Sequence, residues 1–293
     1  MRIGIAGTGR MGAAIATRLL GLGREVAVWN RTAAKTVPLA AAGAQVAATP
    51  EALAARAEAV ITILTDAAAI DAAYRGPGGL LAGDVKGKLF IEMSTVRPET
   101  QRALAAAIGA KGAALVECPV GGTTGPAKDG KLFGFAGGDA ADVARARPIL
   151  EQLCRRIEHV GPVGAGASMK LAINLPLLVF WQAFGEALAL TQPLGLDAAR
   201  LMDIFTDTSG APNMLKARAP MVAAQLRGET VAPTVEIDNV RKDLRTMIDE
   251  ARSRGVALPV TAQALECLDQ AAREGFGAAD CTKIPVIWAA RAK

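Results

Sequence analysis

The sequence predicts a two-domain α/β protein, in which a mostly parallel sheet covered by helices is followed by an all-α domain. Apolar strand-like segments alternate with helix-like segments as far as residue 160. A glycine-rich run, Gly161 to Gly166, then interrupts the pattern, and from residue 167 onward only helical periodicity is evident. The chain of 293 residues is also longer than a typical single domain.

The predicted strands share a near-continuous apolar composition, which is typical of strands buried on both faces of a parallel sheet. They are residues 2–6, 25–29, 45–47, 59–64, 89–93, 114–118, 132–136 and 156–160. The glycine-rich run predicts a domain boundary, with domains 1–162 and 163–293, and a long helix over about 167–192 that joins them. In the second domain an apolar stripe at helical spacing predicts a helix, and Pro259 indicates the first turn of another. The stripe consists of Ile237, Val240, Leu244, Met247, Ile248 and Ala251.

The first glycine pattern predicts a dinucleotide site. Gly7, Gly9 and Gly12 follow the first strand and open directly into a helix-like run. In this setting two glycines allow the tight turn and close phosphate approach, and the third permits the helix to pack on the strand. A pyrophosphate would lie on the amides at the helix N-terminus, where Arg10 and Met11 stand. We therefore expect the first domain to bind a dinucleotide.

The end of the second strand predicts NADP rather than NAD. It reads Asn30-Arg31-Thr32, where an NAD site normally places a carboxylate against the ribose 2′-hydroxyl. The Arg31 guanidinium can instead pair with a 2′-phosphate through its planar fork. The alternative, a solvated turn arginine, is less favoured because the glycines fix this strand end beside the ribose. Leu64 and Thr65 end a later strand and are expected to contact the cofactor as well.

Composition argues against nucleic-acid and metal functions. Apolar residues make up 51% and charged residues 21%, and the 33 Lys and Arg that give a net charge of +5 form no basic run. Aromatic residues are only 4%, too few for base-stacking platforms. The four cysteines share no close spacing, so we expect no metal site, no redox pair and a reducing cytoplasm.

The stretch 171–190 resembles a membrane span in its length and apolar content. It contains Asn174, Pro176, Gln182 and Glu186 and begins beside Lys170, and such polar groups are costly in hydrocarbon. We therefore expect a buried helix and no membrane partner. No signal peptide is expected, because the first strand begins at residue 2.

Lys170 and Asn174 lie four residues apart, on one face of the predicted long helix. The only histidine, His159, falls in an apparent strand, where a hydrogen-bonded structural role is expected. A lysine ammonium near a nicotinamide can polarise a carbonyl oxygen and protonate the developing alkoxide. From these residues alone, a lysine that reaches solvent from a buried helix is the favoured interpretation.

Four motifs together carry a family resemblance. They are Gly7-x-Gly9-x-x-Gly12, Met93-Ser94-Thr95, Glu117-Cys118-Pro119-Val120-Gly121-Gly122 and Gly164-x-Gly166-x-x-x-Lys170-x-x-x-Asn174. From residue 1 to about 285 the chain resembles the β-hydroxyacid dehydrogenase family, which includes 3-hydroxyisobutyrate dehydrogenase, tartronate semialdehyde reductase and the glyoxylate and succinic semialdehyde reductases. The resemblance implies a Rossmann-type domain, an all-α domain, an active site in the cleft between them, and a homodimer or homotetramer.

The resemblance also implies roles for particular residues. Lys170 matches the catalytic lysine and Asn174 a substrate-orienting amide. Thr95 matches a residue that contacts the nicotinamide side of the cofactor, with Ser94 beside it as a candidate substrate contact. Lys242 matches a second lysine that closes over the cofactor. For Lys242 an ordinary exposed helix pair with Asp238 stays an open alternative.

The chain departs from the family pattern at two places. Where the family usually has Ser-Gly-Gly, this chain has Gly121-Gly122-Thr123, so the hydroxyl expected to bind the substrate's acid group is absent. Backbone amides around the two glycines and the Thr123 hydroxyl are the candidate replacements. Pro176 removes one backbone hydrogen bond from the long helix, at a cost of roughly 3 kcal/mol unless it is compensated.

The preferred functional hypothesis is an NADPH-dependent reductase of a small aldehyde acid that yields a hydroxy acid, or the reverse oxidation. Imine reductases share the architecture but generally carry Asp or Tyr at the position of Lys170. A third possibility is an NADP-binding scaffold without chemistry, and the retained lysine argues against it.

Overall fold

The structure, a computed structural model, describes residues 1–291. It divides into two compact units, Met1–Leu171 and Ala172–Lys293. The division falls within a long helix, whereas the predicted boundary at 162/163 lies just before that helix begins.

The first unit alternates strands and helices along the chain. Its elements are β1 (Ile3–Ala6), α1 (Arg10–Gly21), β2 (Val26–Trp29), α2 (Val37–Ala41), β3 (Gln45–Val46), α3 (Pro50–Arg56), β4 (Ala59–Thr62), α4 (Ala67–Arg75), β5 (Leu89–Glu92), α5 (Pro98–Gly109), β6 (Ala114–Glu117), β7 (Val120–Gly121), α6 (Thr124–Asp129), β8 (Leu132–Gly137), α7 (Ala140–Leu150) and β9 (Cys154–Gly161). Every predicted strand is present, with its ends shifted by a few residues. The two-residue strand β7 was not predicted.

The strands form one sheet in the order β3-β2-β1-β4-β5-β6-β8-β7, with β9 pairing β8. The strands from β3 to β6 are parallel, as is the β8–β9 pair, while β8 runs antiparallel to β6 and β7. The predicted mostly parallel sheet is therefore confirmed. The register aligns Ala6, Thr62, Glu92 and Glu117 across β1, β4, β5 and β6, so these strands end in one row.

The sheet is buried on both faces, which explains why its strands read as continuous apolar runs. Ile3 and Ile5 belong to the core on one face, and Ala6, Val60 and Phe90 belong to the core on the other. Successive strand residues point to opposite faces, so both faces need apolar side chains.

The second unit is helical. The elements are α8 (Ala165–Thr191), which crosses the division, α9 (Ala198–Thr206), α10 (Asn213–Leu226), α11 (Ile237–Ser253), α12 (Pro259–Ala271) and α13 (Lys283–Ala289). The predicted stripe faces inward on α11, where Ile237, Val240, Leu244 and Met247 are buried. Pro259 begins α12 as predicted. Within residues 172–291 the extended pairing consists of an isolated bridge between Glu236 and Asp280.

Helix α8 is assigned without a break through Pro176. By length and composition alone the segment Ala165–Leu194 meets the criteria for a membrane span, and 44% of its most apolar window is buried within the protein. Lys170, Asn174 and Gln182 are all buried on this helix. Buried polar groups of this kind fit the interpretation of α8 as an internal helix rather than a lipid-facing one.

Candidate active site

The three glycines of the first turn have different surroundings. Gly7 has a φ of +97°, a conformation that side chains disfavour. A Cβ atom at Gly12 would overlap the carbonyl oxygen of Gly7, so α1 packs directly on the turn that precedes it. A Cβ atom at Gly9 would meet nothing within 4 Å. The first and third glycines therefore close the turn, and the middle one keeps open space in front of it.

Helix α1 begins at this open space without a side-chain cap. Its N-cap residue is Gly9, and its first turn contains no acidic residue. By contrast, α4 and α7 are capped by the carboxylates of Asp66 and Asp139. The first amides of a helix have no partner within the helix and favour an anion. The turn therefore fits a dinucleotide pyrophosphate, with Arg10 and Met11 at the helix start.

Asn30 connects this turn to the end of β2. The Thr8 N–H donates to Asn30 Oδ1 at 2.9 Å, and Asn30 Nδ2 donates to the Thr32 carbonyl at 3.0 Å. Asn30, Arg31 and Thr32 are predicted cofactor contacts, and for Asn30 the structure adds a second role. Its amide in fact orients the segment that carries Arg31, whose side chain, like that of Thr32, is exposed.

Ser94, just beyond β5, is buried and hydrogen-bonded within its own unit. Its hydroxyl accepts from the Leu64 N–H at 2.7 Å and donates to the Glu92 carboxylate. The side chain thus joins the ends of β4 and β5, and its predicted contact with substrate stays a prediction. Beside it, Thr95 is half-buried and Thr65 is exposed.

Glu92 is a fully buried carboxyl group that sequence reasoning missed. Its oxygens accept from Ser94, from Gln101 and, at 3.5 Å, from the Thr62 hydroxyl. Thr62 also shares a 2.9 Å hydrogen bond with the Tyr74 hydroxyl. Burial raises the pKa of Glu92, although its hydrogen bonds act in the opposite direction. This network orders the strand ends beneath the predicted nicotinamide side.

Glu117 is the second buried carboxyl group of this row, and it contacts the start of α8. Its oxygens accept from the backbone amides of Gly164, of Gly166 at 2.9 Å and of Ala167 at 3.2 Å. Burial raises the pKa of Glu117 to about 7, and the three amide hydrogen bonds oppose that rise. In the sequence, the sign of this buried acid is a glutamate at the last position of an apolar strand.

Lys170 and Asn174 occupy successive turns of α8 on one face. Their residues are only 9% and 8% exposed, so neither side chain stands in open solvent. This burial fits the predicted catalytic lysine and leaves a lysine whose ammonium alone reaches solvent as an open alternative.

The loop at 121–123 contains two glycines that differ in whether a Cβ atom would fit. A Cβ atom at Gly121 would make ordinary contacts with Phe133 and Phe135, at 3.7 and 3.8 Å. Gly122 has a φ of +123°, and a Cβ there would come within 2.8 Å of Leu132. Thr123 is the half-buried N-cap residue of α6. Position 121 therefore has room for a Cβ atom, whereas position 122 does not.

His159 and Lys242 have surroundings that bear on their predicted alternatives. His159 Nε2 lies 3.0 Å from the Gly138 carbonyl and 3.1 Å from the Gly161 carbonyl, which confirms a hydrogen-bonded structural histidine. On α11, Lys242 forms an ion pair with Asp243, and Asp238 pairs with Arg241. The predicted cofactor contact of Lys242, and its alternative pairing with Asp238, stay predictions.

Comparison with known proteins agrees with this arrangement. The model for the NAD binding domain of 6-phosphogluconate dehydrogenase matches residues 2–161, and the model for the NAD-binding domain of NADP-dependent 3-hydroxyisobutyrate dehydrogenase matches residues 164–287. The fold and glycine turn thus define a nicotinamide-dependent oxidoreductase. Glyoxylate/succinic semialdehyde reductase 1 from Arabidopsis thaliana is 34% identical over 284 residues, which cover 97% of each chain. The chain belongs to the β-hydroxyacid dehydrogenase family.

Solved structures extend the likeness over the whole chain. Psf3 in complex with NADP+ and 2-OPP is 28% identical with a TM-score of 0.87, over 97% of this chain and 99% of that one. A reductive aminase from Aspergillus terreus, in complex with NADPH and ethyl-5-oxohexanoate, is 26% identical with a TM-score of 0.65, over 97% of each chain.

Substitutions of Gly12 and Gly9 are expected to affect stability and cofactor binding separately. Gly12→Ala should lower the free energy of unfolding by about 1–3 kcal/mol, because its Cβ overlaps the Gly7 carbonyl. Gly9→Ala should fold normally but bind NADPH more weakly, because its Cβ enters the open space. Gly21→Ala, at the other end of α1 with open surroundings, is the matched control. Chemical denaturation and NADPH fluorescence titration measure the two effects, and equal NADPH affinity of Gly9→Ala and the wild type would contradict the assignment.

The buried Glu117 generates a pH prediction. Its pKa is raised from 4.5 to about 7, so the folded chain retains a proton that the unfolded chain has lost between these values. Its contribution to the free energy of unfolding is fully present below pH 4.5 and declines as pH rises through 7, by up to about 1.4 kcal/mol per pH unit. Denaturant titrations of the wild type and Glu117→Gln across this range should show their stability difference shifting against the wild type as pH rises. A pH-independent difference contradicts the raised pKa.

Proposed function

We propose that this chain is an NADPH-dependent reductase that converts a small aldehyde acid, a semialdehyde, into the corresponding hydroxy acid, and that it also catalyses the reverse oxidation. The observation that carries the proposal is the burial of Lys170 one turn into a helix whose first amides are bound at the end of β6. Membership of the β-hydroxyacid dehydrogenase family supports the class of reaction.

The cofactor is held by the first unit. The amides at the start of α1, in front of Gly9, would hold the pyrophosphate, and Arg31 would pair with the 2′-phosphate of NADP. Leu64, Thr65 and Thr95 follow the carboxyl ends of β4 and β5, where ligands of such sheets collect. The proposed cofactor contact of Lys242 rests on the family resemblance alone.

Lys170 supplies the acid for the reduction. When bound, NADPH provides the hydride that adds to the carbonyl carbon of the substrate. The Lys170 ammonium donates a hydrogen bond to the carbonyl oxygen and transfers its proton as the C=O bond becomes C–OH. The Asn174 amide, one turn further along α8, holds the same end of the substrate. In the reverse direction the neutral Lys170 amine accepts the proton.

The substrate's acid group binds at the loop of Gly121, Gly122 and Thr123. Backbone amides and the Thr123 hydroxyl are its donors, in place of the serine that relatives usually carry. The room at Gly121 favours a longer acid, or an anion other than a simple carboxylate.

Imine reduction is the second candidate, since a reductive aminase shares the architecture. The lysine at position 170 favours carbonyl reduction, because imine reductases generally carry Asp or Tyr there. A non-catalytic NADP-binding scaffold is the third candidate. Retention of Lys170 and Asn174 on one buried face argues against it.

We also propose a cytoplasmic homodimer or homotetramer with no nucleic-acid or membrane partner. Met169, Ile173 and Leu190 of α8 are 40%, 42% and 83% exposed, which is costly for an apolar helix in water. Static light scattering that gives a monomeric mass at micromolar concentration contradicts the oligomer.

The function is tested by NADPH oxidation with glyoxylate, succinic semialdehyde, methylmalonate semialdehyde, tartronate semialdehyde, sulfolactaldehyde and a panel of cyclic imines. Lys170→Ala should lower kcat on the best aldehyde by roughly 100-fold or more while leaving NADPH affinity nearly unchanged. Lys111→Ala is the control, because Lys111 is exposed and precedes β6 at the opposite end of that strand. If Lys170→Ala keeps most of its kcat/KM, lysine is not the acid, and imine turnover without aldehyde turnover supports the second candidate.

Arg31 determines coenzyme choice in the proposed site. Arg31→Ala should raise KM for NADPH roughly tenfold or more, because a charge-assisted pair with the 2′-phosphate is lost, and should leave KM for NADH unchanged. Arg56→Ala removes an exposed arginine from α3 and serves as the control. Equal effects of Arg31→Ala on both coenzymes would show that the guanidinium does not read the phosphate.

A further inference from the structure

The first turn of α8 is pressed against the carboxyl end of the sheet. Gly164 has a φ of +100°, which permits the sharp entry into the helix. A Cβ atom at Gly166 would overlap the Phe135 carbonyl oxygen and lie 3.3 Å from Cδ of Glu117. The helix therefore approaches the backbone of β8 directly, and the side chains of Glu117 and Pro119 border the contact, each 3.3 Å from the position of that Cβ atom.

Glu117 binds the first turn of α8 to the end of β6 through hydrogen bonds. Its residue is 0% exposed, and its two oxygens accept from the amides of Gly164, Gly166 and Ala167. Space for the carboxyl group exists because Gly137 has no side chain, since a Cβ there would come within 3.0 Å of Cγ of Glu117. An acceptor at the first amides of a helix pairs N–H groups that have no partner within the helix. A carboxylate there is also stabilised by the positive end of the helix dipole. Other helices of this unit, α4 and α7, use exposed or half-buried Asp residues from their own chain segment, whereas the cap of α8 comes from β6.

Lys170 lies one helical turn beyond Gly166, on the same face. Long side chains in a helix point back toward its N-terminus, so the lysine stem extends along the turn that Glu117 holds. A shift or fraying of this turn would displace the ammonium, and a displacement of about 1 Å can cost about 100-fold in rate.

We propose that Glu117 is a positioning residue for the reaction: by binding the first amides of α8 it fixes the helix on the sheet and so sets the position of the Lys170 ammonium. The inference rests on the proposed role of Lys170 as the acid. It assigns Glu117 no contact with substrate or cofactor.

The test compares Glu117→Gln with the wild type at pH 8, where the wild-type carboxyl group is ionised. An amide has one acceptor oxygen and places N–H donors against backbone N–H donors, so the capping geometry is disturbed at nearly constant volume. We expect kcat to fall at least tenfold, with KM for NADPH changed by less than twofold. Glu158→Gln, at a half-buried strand residue whose side chain is 45% accessible, is the control and should leave kcat unchanged.

The double variant Lys170→Ala/Glu117→Gln separates positioning from general loss of structure. If Glu117 acts through Lys170, it adds little to the loss seen in Lys170→Ala, measured at high enzyme concentration. An equal fold-loss in both backgrounds, or an unchanged kcat in Glu117→Gln, overturns the inference. If Glu117→Gln does not fold, Glu117→Asp, which keeps the charge and shortens the reach, replaces it in the same comparison.

Full activity of Lys170→Ala is a different outcome. That result contradicts the role of Lys170 as the acid in the proposed function, whatever the activity of Glu117→Gln. Loss of activity in Lys170→Ala together with normal activity in Glu117→Gln removes only the inference.

Discussion

Two helices meet the carboxyl end of the sheet through glycine, with no side chain between the backbones. At the start of α1, Gly12 lies against the Gly7 carbonyl, and at the start of α8, Gly166 lies against the Phe135 carbonyl. At each contact a Cβ atom would overlap an oxygen. Both helix N-termini are brought to the end of the sheet where ligands of parallel sheets collect. The rest of the candidate site depends on these two close approaches.

The two N-termini differ in what occupies them. Helix α1 starts at a glycine with open space in front, whereas α8 is capped by the buried carboxyl group of Glu117. An uncapped helix start suits an anionic ligand, and a start bound to an internal acid suits a fixed support. In the proposed function the same local geometry therefore serves cofactor binding in one helix and placement of a lysine in the other.

Much of the fold was predictable because its signals are local. The apolar strands, the glycine turn, Pro259 and the stripe on α11 follow from periodicity and backbone conformation. The buried acids and the role of Asn30 were not predictable. Glu92 and Glu117 look like ordinary strand termini in the sequence, and their partners, such as Gln101 and Gly166, are supplied by the fold. Likewise, β7 is only two residues long, and a strand of this length exists only through its pairing with β8.

The contrast between Gly121 and its neighbour suggests how this site can evolve. A Cβ atom is sterically accommodated at Gly121 and would meet nothing within 4 Å at Gly125, whereas Gly7, Gly12 and Gly166 have no room for one. Under the proposed function, substitutions in this loop can change substrate preference without disturbing the turns assigned to the coenzyme and to Lys170. A reductase with this division can acquire new substrates through changes in one loop while it keeps the same coenzyme.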